Sequence, residues 1–189
     1  MFLPDTADLY EFDLAFAKAS DAPPPSRTVI PAKGFALPRR EGAYGHEQGA
    51  PRMEIQLRTL VPDKGADKVI VEGPGHGVGH QSAGVRGGPL LWMSSQTADP
   101  DKRGNVAAEV DDIMGKLAAV CSNQGTTLGN LLRLRALVTE PDHARVVYEA
   151  LRRAVPKNPP CVSIVVVSSP LATKGASVAM DGVAFTDAK

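Results

Sequence analysis

The chain has 189 residues, of which 43% are hydrophobic and 22% charged, so it can bury a core and falls between one domain and two. Lys plus Arg and Asp plus Glu number 21 each, giving zero formal net charge, whereas a sequence-independent grip on nucleic acid needs a basic excess to displace counterions. No apolar run approaches the roughly 18–20 residues of a membrane span, and the acidic residues from Asp5 onward break the basic-then-apolar order of a signal peptide.

Taken in chain order, Met1-Phe2-Leu3-Pro4 reads as the tail of a strand and Pro4-Asp5-Thr6-Ala7 as the entry to an amphipathic helix. The proline cluster Pro23-Pro24-Pro25 stops that helix, and Arg27-Thr28-Val29-Ile30 is β-branched and strand-like. Residues 34–52, rich in Gly, Pro and Arg, read as a mobile loop before a strand at Met53-Glu54-Ile55-Gln56-Leu57. Residues 63–80 read as a Gly-rich linker, with strand-like residues beginning inside it at Val69, and a short apolar strand follows at Leu90–Ser94.

Between Gly104 and Asn123, Val110, Ile113, Met114, Leu117, Val120 and Cys121 form a helical stripe, with Asn105 as N-cap and Gly125 in the left-handed position past the end. From Leu132 to Thr139, Leu132, Leu134, Ala136 and Val138 alternate against Arg133 and Arg135, which predicts a strand with one wet face. A second helix is expected over Asp142–Ala154, then strands at Cys161–Val167 and Val178–Phe185. The class is α+β. Cys121 and Cys161 lie in apolar periodic stretches and read as buried free thiols of a reducing, cytoplasmic compartment.

The beginning of the chain resembles its end. Pro4-Asp5-Thr6-Ala7 matches Pro141-Asp142-His143-Ala144, and each helix then meets a proline cluster, a β-branched strand and a further strand. Residues 1–62 therefore read as the C-terminal half of a first unit, 63–80 as the linker and 81–189 as a complete unit. One helix and two strands bury too little to stand alone. The half-unit must dock on the complete unit, on another chain or on a missing partner; either an N-terminal half is missing, or the segment is a helical arm.

Ser82-Ala83-Gly84-Val85-Arg86-Gly87-Gly88-Pro89-Leu90-Leu91-Trp92-Met93-Ser94-Ser95-Gln96 resembles the S-Q-A-V-R-x-G-x-L-L-F-V-S-G-Q pattern of the Rid family, also called YjgF-type and formerly endoribonuclease L-PSP. The resemblance continues through the Val110–Val120 helix, Val147-Tyr148-Glu149-Ala150 and the Asn158-Pro159-Pro160-Cys161-Val162 turn. It implies a chorismate-mutase-like mixed sheet with two helices on one face, plus an N-terminal half-unit of a helix and two strands. It also implies a homotrimer or higher homo-oligomer with ligand clefts between neighbouring subunits, no cofactor and no metal. The activity implied is hydrolysis of reactive enamines and imines that carry a small carboxylate.

In that family an arginine after the proline-rich turn holds the substrate carboxylate, and a glutamate on the last strand helps place a water. Pro25-Ser26-Arg27-Thr28 and Met53-Glu54-Ile55-Gln56 match these places, so the resemblance nominates Arg27 and Glu54 as catalytic, with Gln81, Ser94 and Ser95 of an adjacent unit binding substrate. A guanidinium fork suits a planar carboxylate. The complete unit has Pro159 or Pro160, and Ala179, at the same two places, so alone it lacks the means. The rival expectation is a non-catalytic ligand-binding or assembly protein with a degenerate site.

Other features point to less. No helix opens after Gly73-Pro74-Gly75-His76-Gly77-Val78-Gly79-His80, so the amides that bind phosphate are missing, and His76 and His80 lack a third metal ligand at fixed spacing. Arg133, Arg135, Arg152 and Arg153 read as solvated faces, and His143 as part of a helix-capping turn.

Overall fold

The computed structural model describes residues 1–3, 5–19, 24–32, 55, 67–74, 81–167 and 170–187. Its elements are β1 (Phe2–Leu3), α1 (Asp8–Ala19), β2 (Ile30–Pro31), β3 (Lys68–Val71), β4 (Gly84–Gly87), β5 (Leu90–Thr97), α2 (Val106–Ser122), β6 (Leu131–Val138), α3 (His143–Ala154), β7 (Cys161–Val166) and β8 (Val178–Phe185). From β3 onward the order is the one periodicity predicts. The α+β class is as expected: strands β3-β4-β5-β8-β6-β7 form one mixed sheet, and α2 and α3 pack against it. Among the described residues, no helix is long and apolar enough to cross a membrane.

Helix α2 supplies the core. Asn105 accepts at 3.2 Å from the Ala108 N–H, and Gly125, at φ 65°, ends the turn that follows. Ile113, Leu117 and Val120 are fully buried with Leu91, Leu134 and Met180 of the sheet. Each such side chain contributes about 1.5–3 kcal/mol by leaving water. β8 lies between β5 and β6 and is buried on both faces along most of its length, so it shows no alternation. At its middle a Cβ on Gly182 would sit 2.9 Å from Met93 Cε and 3.1 Å from the Arg133 carbonyl, which only glycine avoids.

Two expectations about side-chain exposure need correction. The pairing of β6 with β8 shifts register between Leu131 and Arg133, so Leu131 is buried while Leu132 is 49% exposed. The extra residue turns Leu132 off the face it was expected to share with Leu134. Cys121 is buried as expected, but Cys161 is exposed because it opens the edge strand β7.

The two β–α–β units have the same spacing. β1 pairs in parallel with β2 through Phe2↔Ile30 and Leu3↔Pro31, as β6 pairs with β7 through Leu137↔Val165 and Val138↔Val166. Phe2 and Leu137, Asp8 and His143, Ala19 and Ala154, and Ile30 and Val165 are each 135 positions apart. By this register the counterpart of Arg27 is Val162, not Pro159 or Pro160.

The first β–α–β unit docks on the sheet of the same chain. Ile30 packs with Leu137, Val167, Leu171 and Ala179, with Phe2 against them. Leu9 and Val29 form a smaller cluster with Phe12 and Ala172.

Candidate functional site

An irregularity in β5 creates the docking point. β5 pairs with β8 from Leu90↔Phe185 to Met93↔Gly182, then resumes at Gln96↔Met180. Ser94 and Ser95 fall in the gap. The Ser94 N–H still serves β4, donating to the Ala83 carbonyl at 2.9 Å, but the Ser95 N–H donates to the Arg27 carbonyl at 2.9 Å. In return the Arg27 N–H donates to Ser94 Oγ at 3.0 Å, and the Ser82 N–H donates to the Pro25 carbonyl at 3.1 Å. A bulge that leaves one amide outside its own ladder thus gives the incoming segment something to bind.

Between the docked unit and the sheet lies a cleft. Val29 of the docked unit lines it together with Gln81, Ser95, Thr97, Leu171, Ala172, Thr173 and Ala179. Its innermost space is about 20 Å³, enough for one water, inside a recess of about 340 Å³. Among the described residues the polar lining is neutral. Gln81 Nε2 donates to the Ser95 carbonyl at 3.5 Å, and Thr97 Oγ1 to Thr173 Oγ1 at 3.2 Å. Lys116, on α2, holds the end of β5 in place by donating to the Thr97 carbonyl at 2.9 Å while pairing with Asp99 and Asp112. Burial opposes ionisation of Asp112, yet the Lys116 ammonium and the Asp99 N–H hold its carboxyl below the usual range.

Four of the residues nominated from sequence come together here. The Arg27 backbone is fixed by Ser94 and Ser95, Gln81 and Ser95 line the cleft, and Ser94 is fully buried with its hydroxyl donating to the Ser82 carbonyl. Glu54 lies outside the described residues, as do His76 and His80. The Arg27 guanidinium forms a two-pronged ion pair with Asp13 of α1, the second contact at 3.3 Å. Both side chains are nearly buried, at 8% and 12% exposure. The Phe12 ring lies against the same guanidinium, 5.9 Å from its carbon.

Asp13 was not singled out in the sequence, although a signal existed. Leu9, Phe12 and Phe16 are the inward stripe of α1, and Asp13 sits within it at helical spacing. A carboxylate on an apolar face calls for a cation. Thr97 and Thr173 carried no comparable signal.

Three of the arginines that read as solvated faces are engaged elsewhere. Arg133 and Arg135 pair with the buried Asp181 at 3.2 and 2.7 Å, and Arg153 pairs with Asp111. His143 Nδ1 lies 3.5 Å from Thr139 Oγ1 at the start of α3. The corner of the second β–α–β unit, with Tyr148 and Val162 at the places of Asp13 and Arg27, forms an open groove of about 410 Å³.

No protein-family model and no curated protein matches the chain. Solved structures do. A YjgF/YER057c/UK114 family member from Mycobacterium tuberculosis is 27% identical with a TM-score of 0.56, over 64% of this chain and all of that one. A conserved Rid protein from Yersinia pestis, described as of unknown function, aligns at 20% identity and TM-score 0.58, over 64% of this chain and all of that one. RidA from an Antarctic Psychrobacter aligns at 21% identity and TM-score 0.54, over 59% of this chain and 92% of that one. The fold is therefore the YjgF type, and these likenesses support a relationship with that family.

Proposed function

We propose that the chain is a Rid-type protein that hydrolyses a small, carboxylate-bearing enamine or imine in the cleft between its N-terminal β–α–β unit and its sheet. The observation carrying this reading is the convergence of Arg27 with Gln81, Ser94 and Ser95, contributed by segments far apart in the chain. An enamine tautomerises to an imine, whose carbon is already electrophilic. Addition of one water gives a carbinolamine, which expels ammonia and leaves a carbonyl compound. Placing the water and the substrate is most of what the reaction asks. Arg27 holds the carboxylate, Glu54 helps place the water, and Gln81 and Ser95 meet the rest of the ligand. The chemistry calls for no cofactor.

A second reading is a non-catalytic binder or assembly protein of the same fold. It draws support from the cleft itself, where none of the lining side chains among the described residues is ionisable, and from the Asp13 carboxylate already on Arg27. Assembly as a homotrimer or higher homo-oligomer is part of either reading, and mass measurement in solution tests it.

The deciding experiment is ammonia release from freshly generated aminoacrylate-type imines, with Arg27→Ala beside the parent chain. Release above the uncatalysed rate that falls at least tenfold in the variant supports the enzyme. A parent chain at the uncatalysed rate supports the binder.

A further inference from the structure

The placement of Asp13 bears on what the cleft accepts. Its two oxygens take both terminal nitrogens of Arg27, which is the geometry of a guanidinium fork holding a planar carboxylate. Resting on the proposed reading of Arg27 as the substrate clamp, we propose that Asp13 is an internal carboxylate that competes with the ligand for Arg27 and so sets the preference of the cleft between anionic and neutral ligands. A ligand carboxylate gains the fork only by displacing Asp13 from it or by sharing it. A neutral ligand meets Gln81, Ser95, Thr97 and Thr173 with no such competition.

Three observations support this over a purely structural pair. First, both partners are almost shut off from water, so the pair is screened little by salt and a ligand anion must replace it rather than merely weaken it. Second, acid and base occur together and are replaced together. The same corner of the second unit carries Tyr148 and Val162, and that unit retains the same helix length and strand register. The fold of the corner therefore does not require the carboxylate; the arginine does. Third, the pair is next to the cleft wall: Val29 and Ala172, which line the cleft, pack with Leu9 and Phe12 of α1, the helix that carries Asp13.

The test compares pyruvate with its neutral amide, pyruvamide, by calorimetric titration of the parent chain and of Asp13→Asn. The expected result is that Asp13→Asn binds pyruvate at least tenfold more tightly than the parent, with pyruvamide changed by less than twofold. Arg27→Ala in the same background removes the gain. The proposal is overturned if Asp13→Asn binds pyruvate no better than the parent, or if both probes tighten equally, because the cleft has then merely opened. Should Asp13→Asn fail to fold by circular dichroism, Asp13→Ser is read by the same criteria. Ammonia release, measured alongside, separates the two claims. A chain that releases no ammonia yet shows the selective gain retains the Asp13 role and loses the deaminase reading.

Discussion

Thr28 Oγ1 donates to Asp181 Oδ2 at 2.9 Å, joining the N-terminal unit to the middle of β8 across 153 positions of sequence. Asp181 is buried, and it also accepts from Arg135 Nε at 2.7 Å and from an Arg133 terminal nitrogen at 3.2 Å. One carboxylate therefore satisfies two cations of β6 and one hydroxyl of the docked segment. Removing it leaves two guanidinium groups facing each other beside a sheet. Asp181→Ala is expected to cost about 2–3 kcal/mol in urea unfolding, less than for a fully buried pair because both guanidinium groups reach water. Thr28→Val removes only the neutral hydrogen bond and should cost about 1 kcal/mol. Equal costs for the two variants would mean that the arginines are not held by Asp181.

The Arg27–Asp13 pair makes a different prediction for stability. Either single alanine substitution takes one partner of this nearly buried pair from the other, at a cost of about 3 kcal/mol. The double variant buries neither charge. It should be more stable than the sum of the single losses predicts by about 1–3 kcal/mol, the coupling that a double-mutant cycle reports for residues in contact. Additive losses would show that the two side chains do not depend on each other.

Much of this architecture is legible in the residues. The stripe through Ile113, Leu117 and Val120 and the alternation around Leu134 and Ala136 state their elements directly, because a period sustained over several turns or several pleats fits one backbone geometry and not the other. The need of the first β–α–β unit for cover is legible too. Which surface covers it is not, since a docking contact such as Ser95 to Arg27 leaves no local pattern. The irregularities at Ser94 and Ser95 and between Leu131 and Arg133 are hidden for the same reason: a one-residue shift in pairing changes no propensity. Arg27 is found through resemblance alone, whereas Asp13 is open to a physical argument, as a charge set within the inward stripe of α1.

Glu109 supports the cleft from behind. It lies in the first turn of α2, is fully buried, and accepts from the Gly104 N–H at 3.0 Å, the Ser177 N–H at 2.8 Å and the Val178 N–H at 3.3 Å. Ser177 precedes β8 and Val178 opens it, a few residues past the cleft-lining Leu171, Ala172 and Thr173. Glu109→Ala removes three charge-assisted bonds and should cost at least about 3 kcal/mol. Glu109→Gln keeps one acceptor and turns an amide donor toward a backbone N–H, with an expected loss of about 2 kcal/mol. Urea midpoints measure both, and a neutral Glu109→Ala would mean that water serves these amides equally well.

The two thiols give the last prediction. Burial pushes the Cys121 thiol up from 9.0 to about 11, while Cys161 is exposed. At pH 8 a thiol-specific reagent should label Cys161 within minutes and Cys121 only as fast as the protein unfolds. The shift also has a sign in stability. The folded state holds the Cys121 proton more tightly than the unfolded chain, so its contribution is fully present below pH 9 and is lost as the pH rises toward 11. At about 1.4 kcal/mol per pH unit, that loss approaches about 3 kcal/mol. Other groups titrate in the same range, so the measurement is the difference between the parent chain and Cys121→Ala at pH 8 and at pH 11. The stability advantage of the parent at pH 8 should shrink at pH 11; an advantage that stays constant would place the thiol in water rather than in the core.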